Sequence, residues 1–131
     1  MVQPHRHAAV LGHTWNSTPE QVRAAVDAAL AAGPAWRAMS LDDRCAVFLK
    51  AAELLAGPWR DLSNAATMLG QSKTCFQAEI DAACELIDFW RYNAHFAQAI
   101  MAEQPRSAPG TWNRTDHRPL ADMRLVADHR P

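Results

Sequence analysis

The side chains best able to do covalent chemistry in this sequence are three cysteines, Cys45, Cys75 and Cys84. No C-x-x-C or other ligand spacing joins them, and an odd number cannot all form disulfides. A thiolate nucleophile needs a base or a cation beside it, and His95 is the nearest candidate for Cys84 or Cys75. If Cys84 and His95 share a helix, about 16 Å of axis separates them, so they cannot touch. We therefore predict three small, buried, unreactive side chains.

Histidines near the start suggest a second kind of chemistry, because imidazole nitrogens bind zinc and nickel. His5, His7 and His13 lie close in sequence. No carboxylate or cysteine joins them at a useful spacing, and Arg6 disfavours a bound cation. The sequence therefore predicts no metal site.

A run of carboxylates offers acid–base chemistry, and it comprises Glu79, Asp81, Glu85 and Asp88. Most of these are typical of the solvated face of a helix. Glu85 differs because it follows Cys84 and precedes the apolar pair Leu86 and Ile87. On a helix, it would therefore lie beside the apolar face that such residues form. A carboxylate there must find a partner or line a cavity, so Glu85 is the candidate site residue.

Composition excludes several classes of function. The chain has 131 residues, 13 Lys+Arg and 14 Asp+Glu, which predicts one small domain or a piece of a larger one and argues against nucleic-acid binding. The five glycines stand singly, so no phosphate-binding loop is present. No apolar run approaches the roughly 20 residues that span a bilayer, and the first residues lack the apolar core of a signal peptide. We expect a soluble, cytoplasmic protein.

Capping residues predict a mostly helical fold with about four helices. The first begins at the capping box Thr18-Pro19-Glu20-Gln21 and is predicted to end at Gly33-Pro34. The second runs from the Ser40 cap to Gly57-Pro58, and a shorter third covers about 58–69, before Gly70. Before them, an apolar run at 8–11 predicts a short N-terminal strand or hairpin, which should either fray or pair with sequence outside this chain.

A fourth, long helix is predicted over about 74–101. Its apolar stripe has 4-3-4-3 spacing and comprises Phe76, Ile80, Ala83, Ile87, Trp90, Ala94, Ala97 and Met101. A second apolar set, Leu86, Phe89, Phe96 and Ile100, widens that face, so we expect the helix to contact protein on two sides. The chain thus divides into a strand segment at 1–17, a helical segment at 18–104 and an extended or disordered tail at 105–131.

Three stretches of sequence resemble the pyrroline-5-carboxylate dehydrogenase branch of the aldehyde dehydrogenase superfamily. They read AVFLKAAELLAGPWR at 46–60, AATMLGQSKT at 65–74 and QAEIDAACELIDFWRYN at 77–93. The resemblance implies a fragment of an enzyme that oxidises L-glutamate 5-semialdehyde to glutamate with NAD in proline degradation. It also implies part of a nucleotide-binding domain without its parallel sheet, against which the long helix would pack.

The same resemblance implies that the catalytic machinery lies elsewhere. The family's nucleophilic cysteine, oxyanion-binding asparagine and water-activating glutamate fall downstream, and none of the three cysteines here matches the nucleophile. Glu85 matches a glutamate near the aldehyde pocket. After Leu120 the sequence departs from the family, which predicts a truncated or frameshifted reading with no catalytic, cofactor-binding or metal-binding residues of its own.

Two functions remain open on this evidence. The chain is either an inactive fragment whose partner is the remainder of the dehydrogenase, or a helical interaction module that associates with a second copy through the helix at 76–101. Neither involves nucleic acid or a membrane.

Overall fold

The computed structural model describes residues 1–117. The elements, in chain order, are β1 (Val2–Gln3), β2 (Arg6–Val10), α1 (Pro19–Ala38), α2 (Leu41–Ala56), α3 (Arg60–Gln71), α4 (Cys75–Ala78), a π-helical segment (Glu79–Cys84) and α5 (Glu85–Ala102). The last three follow one another without a break and form one long helix, residues 75–102. The predicted fold class, four helices with an N-terminal hairpin, is confirmed.

The N-terminal strand finds its partner within the chain. Strands β1 and β2 pair antiparallel, with Val2 opposite Val10 and Gln3 opposite Arg6, and the terminal amine donates to the Gly12 carbonyl at 2.7 Å. The prediction of a partner outside the chain is therefore wrong. The reason is that Val2 and Gln3 carry enough backbone to pair with β2 after a tight turn.

Helix α1 begins as predicted but ends later. The Gln21 amide donates to Thr18 Oγ1 at 3.3 Å, and the Thr18 amide donates to Gln21 Oε1 at 2.8 Å, which completes the capping box. The helix then continues through Pro34 to Ala38, so the predicted end at Gly33-Pro34 is wrong. Proline removes one hydrogen bond, but its fixed φ is compatible with a helix. No residue of α1 is buried.

Helix α3 differs from the sequence prediction in its end and in its inner face. Gly70 lies inside the helix, and Ser72 takes the left-handed closing conformation with φ 57°. The Ser72 hydroxyl lies 2.8 Å from His5 Nδ1, which ties the β1–β2 turn to this helix end. The apolar side chains Trp59, Leu62 and Leu69 are exposed, while Asn64 faces inward.

The π-helical segment shifts the phase of the long helix. Ala78 and Ala83 are both fully buried although they are five residues apart, and Ile87 and Ala94 follow at helical spacing. The predicted stripe is therefore correct from Ala83 to Ala97 and wrong before it, and its last member, Met101, is 39% exposed. Phe76 is 75% exposed and Ile80 39% exposed, because the extra residue in the π turn rotates the preceding segment out of register.

The core is small and lies between α2 and the long helix. Ala52 and Leu55 pack on Ala83 and Ile87, with Ala56 and Trp90 at the edge of this cluster. Residues 103–117 carry one isolated antiparallel bridge, between Ala108 and Thr111. The predicted departure from the family after Leu120, and the rest of the predicted tail, lie outside the described residues.

Within residues 1–117, no helix combines the length and the apolarity that crossing a membrane requires.

Candidate functional site

A charged cluster joins α3 to the start of the π-helical segment. Arg60 Nε donates to Glu79 Oε1 at 2.9 Å and to Oε2 at 3.2 Å, and Arg60 Nη2 also contacts Oε1. Asn64, one turn along α3 from Arg60, donates from Nδ2 to Glu79 Oε2 at 2.6 Å. Both carboxylate oxygens are therefore hydrogen-bonded, and Asn64 as a residue is only 9% exposed.

These hydrogen bonds keep the pair charged. The pKa of the Glu79 carboxyl is lowered, first by the hydrogen bond from Arg60 and then by that from Asn64. The pKa of Arg60 is raised by its hydrogen bond to Glu79. Two half-buried charges that are hydrogen-bonded in this way form a stable ion pair between two helices and are not suited to act as a general acid or base.

Cys84, at the other end of the π-helical segment, contacts the same cluster. Its Sγ lies 3.4 Å from Arg60 Nη2 and 3.7 Å from Glu79 Oε1. Of the three cysteines, Cys45 is buried as predicted and Cys84 is half-buried. The prediction is wrong for Cys75, which is exposed because it begins α4 directly after the Thr74 cap, at the solvent end of the helix.

Glu85 lines an open groove along α5. The groove has a volume of about 440 Å³ and is lined by Glu85, Asp88, Phe89, Tyr92, Asn93 and Phe96. The Glu85 side chain is exposed, and no ion pair reaches it from the part of the chain that the structure describes. Two carboxylates, those of Glu85 and Asp88, are thus presented beside aromatic rings, which suits recognition of a polar group on a small ligand.

An apolar cavity adjoins this groove. It has a volume of about 320 Å³ and lies between the end of α1, helix α2 and helix α5, with Trp36, Phe48, Trp90 and Ala97 among its lining residues. Phe89 and Asn93 line both spaces. The continuation of α1 past Pro34 is what brings Trp36 to this cavity.

The other sequence candidates do not come together. His95 packs against the ring of Phe96 at a centroid distance of 5.7 Å, and His5 bonds to Ser72. No group of three metal-binding side chains occurs in residues 1–117. Sequence reasoning missed the cluster of Arg60, Asn64 and Glu79, for which the one available signal is the i, i+4 spacing of the two polar residues on α3.

Comparison with known proteins places the chain in a family. The sequence model described as "Aldehyde dehydrogenase family" matches residues 1–126. The chain belongs to the aldehyde dehydrogenase family. This confirms the resemblance seen in the sequence, and the helices and hairpin described above are part of an aldehyde dehydrogenase domain.

Individual relatives carry more specific names than the family description does. The chain is 49% identical over 124 residues to a delta-1-pyrroline-5-carboxylate dehydrogenase of Agaricus bisporus, covering 94% of this chain and 23% of that protein. It is 47% identical over 119 residues to the mitochondrial enzyme of that name from Mus musculus, covering 91% and 21%. A crystal structure of the Mycobacterium tuberculosis delta-pyrroline-5-carboxylate dehydrogenase matches with a TM-score of 0.85 and 62% identity, covering 90% of this chain and 22% of that one. The chain thus spans less than a quarter of the length of these relatives.

Proposed function

We propose that this chain is the N-terminal portion of an NAD-dependent dehydrogenase that oxidises L-glutamate 5-semialdehyde, in equilibrium with pyrroline-5-carboxylate, to glutamate in proline degradation. The observation that carries the proposal is the 62% identity, at a TM-score of 0.85, to a solved delta-pyrroline-5-carboxylate dehydrogenase. Identity of this level across nine-tenths of the chain supports a shared substrate class as well as a shared fold.

Within that enzyme, the chain contributes to the substrate pocket rather than to the chemical step. Glu85 shapes and polarises the pocket from the groove on α5, where its carboxylate stands beside Phe89 and Asn93. Formation of a thioester with an aldehyde requires an accessible thiolate with a base or oxyanion donors around it. Cys45 is buried, Cys84 is held under Arg60 and Glu79, and the exposed Cys75 thiol has no hydrogen bond to a base among the described residues. The isolated chain is therefore inactive in this proposal.

The residues that the structure describes do not fit NAD. A dinucleotide is held by a glycine-rich turn between a parallel strand and a helix. In residues 1–117 the named strands are the antiparallel pair β1 and β2, and the glycines stand singly. The cofactor, which accepts hydride in the proposed reaction, belongs to the remainder of the enzyme, and no residue here is assigned to it.

The exposed apolar faces support docking on that remainder. Phe89, Phe96 and Ile100 on α5 are all more than half exposed, as are Trp59, which precedes α3, and Leu62 within it. Clusters of large apolar side chains on a soluble protein mark interaction surfaces. A second candidate function, a helical module that self-associates through the helix at 76–101, is favoured by the same exposed side chains. Light scattering coupled to size-exclusion chromatography separates them, because only the second predicts a stable dimer of the isolated chain.

Localisation to the cytoplasm is part of the proposal. Several relatives carry the word mitochondrial in their names, whereas the relative of known structure comes from a bacterium, which has no mitochondria. Fractionation of cells that express the gene tests this assignment.

A chimeric enzyme tests the proposed function. Residues 1–117 of this chain replace the matching segment of the Mycobacterium tuberculosis enzyme, and formation of NADH from glutamate semialdehyde is followed at 340 nm. We expect activity comparable to that of the parent. A folded chimera that reduces NAD with other aldehydes but not with glutamate semialdehyde would contradict the proposal.

A further inference from the structure

The π-helical segment sets the rotation of the helix that follows it. The Glu85 amide donates to the Ile80 carbonyl, five residues back, where an α-helix would use the carbonyl of Asp81. One additional residue in a turn rotates one half of a helix against the other by about 100°. The direction in which Glu85 points relative to α3 therefore depends on this segment being maintained.

Both ends of the π-helical segment face the same arginine. In an α-helix, side chains five residues apart diverge by about 140°, so Glu79 and Cys84 would lie on different faces. Here Arg60 Nη2 contacts Glu79 Oε1 and lies 3.4 Å from Cys84 Sγ. Asn64 holds the second carboxylate oxygen at 2.6 Å. This arrangement can form only while the segment keeps its π geometry.

Isolated π turns are rare, so an external contact has to favour one over the regular helix. We propose that Arg60, Asn64 and Glu79 are positioning residues that hold the π-helical segment and thereby fix the direction of Glu85. The inference rests on the proposed function in one respect, since it takes Glu85 to line the substrate pocket. None of the three residues touches that groove, so they act through the helix backbone.

The thiol of Cys84 reports on this geometry in the 131-residue chain itself. The test is the rate of alkylation by iodoacetamide, followed at each cysteine by peptide mass spectrometry, in the wild type and in Arg60→Gln. Loss of the π geometry releases the thiol from beneath Arg60 and Glu79 and would speed its alkylation. We expect alkylation of Cys84 to accelerate about tenfold, since exposure governs access to the thiol.

Two internal comparisons make the result decisive. Arg23→Gln breaks the exposed Arg23–Glu20 pair and should leave the rate at Cys84 unchanged. Cys45, which is buried between α2 and α5, should stay protected in both variants. An unchanged or slower rate at Cys84 would overturn the proposal. Simultaneous exposure of Cys45 would overturn it as well, because the cluster would then support the whole fold rather than the direction of one helix.

The link to substrate is measured separately in the chimeric enzyme. Arg60→Gln is expected to raise the KM for glutamate semialdehyde about tenfold, as displacement of a pocket residue does, with a smaller change in kcat and none in the KM for NAD. Faster alkylation with an unaltered KM would refute the connection between this cluster and the substrate. An unmodified chimera without activity would instead refute the proposed function, and the alkylation result would be unaffected.

Discussion

Arg60 and Glu79 join two helices through a forked ion pair in which Nε and Nη2 of the guanidinium both reach the carboxylate. The pair stands at the point where α4 gives way to the π-helical segment. It therefore couples the position of α3 to the rotation of the long helix, on which the candidate substrate residue Glu85 lies.

The first prediction concerns Asn64, whose buried side-chain amide donates a hydrogen bond to Glu79. Asn64→Asp places a second carboxylate against Glu79 and removes the hydrogen bond from Nδ2, so we expect a loss of about 1–3 kcal/mol in the free energy of unfolding. Urea unfolding followed by circular dichroism measures it. The matched control is Asn93→Asp on the exposed face of α5, which should change stability little. Equal effects of the two substitutions would show that the buried contact is unimportant.

Lowering the pH should weaken the Arg60–Glu79 ion pair over a defined pH range. Glu79 has a lowered pKa in the folded chain, with 4.5 as its ordinary value. Its contribution is therefore fully present above that value and is lost as the pH falls through the lower, folded pKa. The difference in stability between the wild type and Glu79→Gln should be constant above about pH 5 and should shrink below about pH 4. A difference that grows on acidification would contradict the assigned direction.

Helix α1 should gain helicity when its internal proline is removed. Pro34→Ala supplies the missing amide for the carbonyl of Leu30, and an interior proline costs a helix about 3 kcal/mol. We expect stronger ellipticity at 222 nm and a more stable α1. Pro19→Ala is the control, because a proline at the first helical position leaves no intrahelical hydrogen bond unmade. An identical spectrum for wild type and Pro34→Ala would mean that α1 ends near Gly33 after all.

The phase shift in the long helix predicts unequal effects of two apolar truncations. Ile87 is 4% exposed, so Ile87→Ala should cost about 2–5 kcal/mol, whereas Phe76→Ala removes a side chain that faces solvent and should cost little. Thermal unfolding of both variants measures the difference. A uniform helical repeat would bury both side chains, and comparable losses would therefore argue against the π-helical segment.

The sequence predicted the starts of helices better than their ends. Thr18 and Ser40 cap α1 and α2 through bonds to residues three positions away, so the signal is local and readable. Helix α1 instead continues through Pro34 to Ala38, where Trp36 lines the apolar cavity, and no local sequence pattern marks that end. The sequence likewise predicted that α3 ends before Gly70, but the residue that ends the helix in a left-handed conformation is Ser72.

The candidate site was only half predictable for a similar reason. Glu85 could be singled out because it is a carboxylate beside an apolar stripe. The cluster that positions it joins Arg60 and Asn64 on one helix to Glu79 on another, and no spacing in the sequence links those helices. The π turn follows from that tertiary contact, so a reading based on a constant 3.6-residue repeat had to misplace Phe76 and Ile80.

The kinetics of Glu85→Ala in the chimeric enzyme test the central claim most directly. If Glu85 lines the aldehyde pocket, the KM for glutamate semialdehyde should rise about tenfold, while the KM for NAD stays constant. Asp88→Ala, which removes a neighbouring carboxylate from the same groove, should have a smaller effect. Unchanged kinetics in Glu85→Ala, measured on an active chimera, would show that this helix does not contribute to substrate binding.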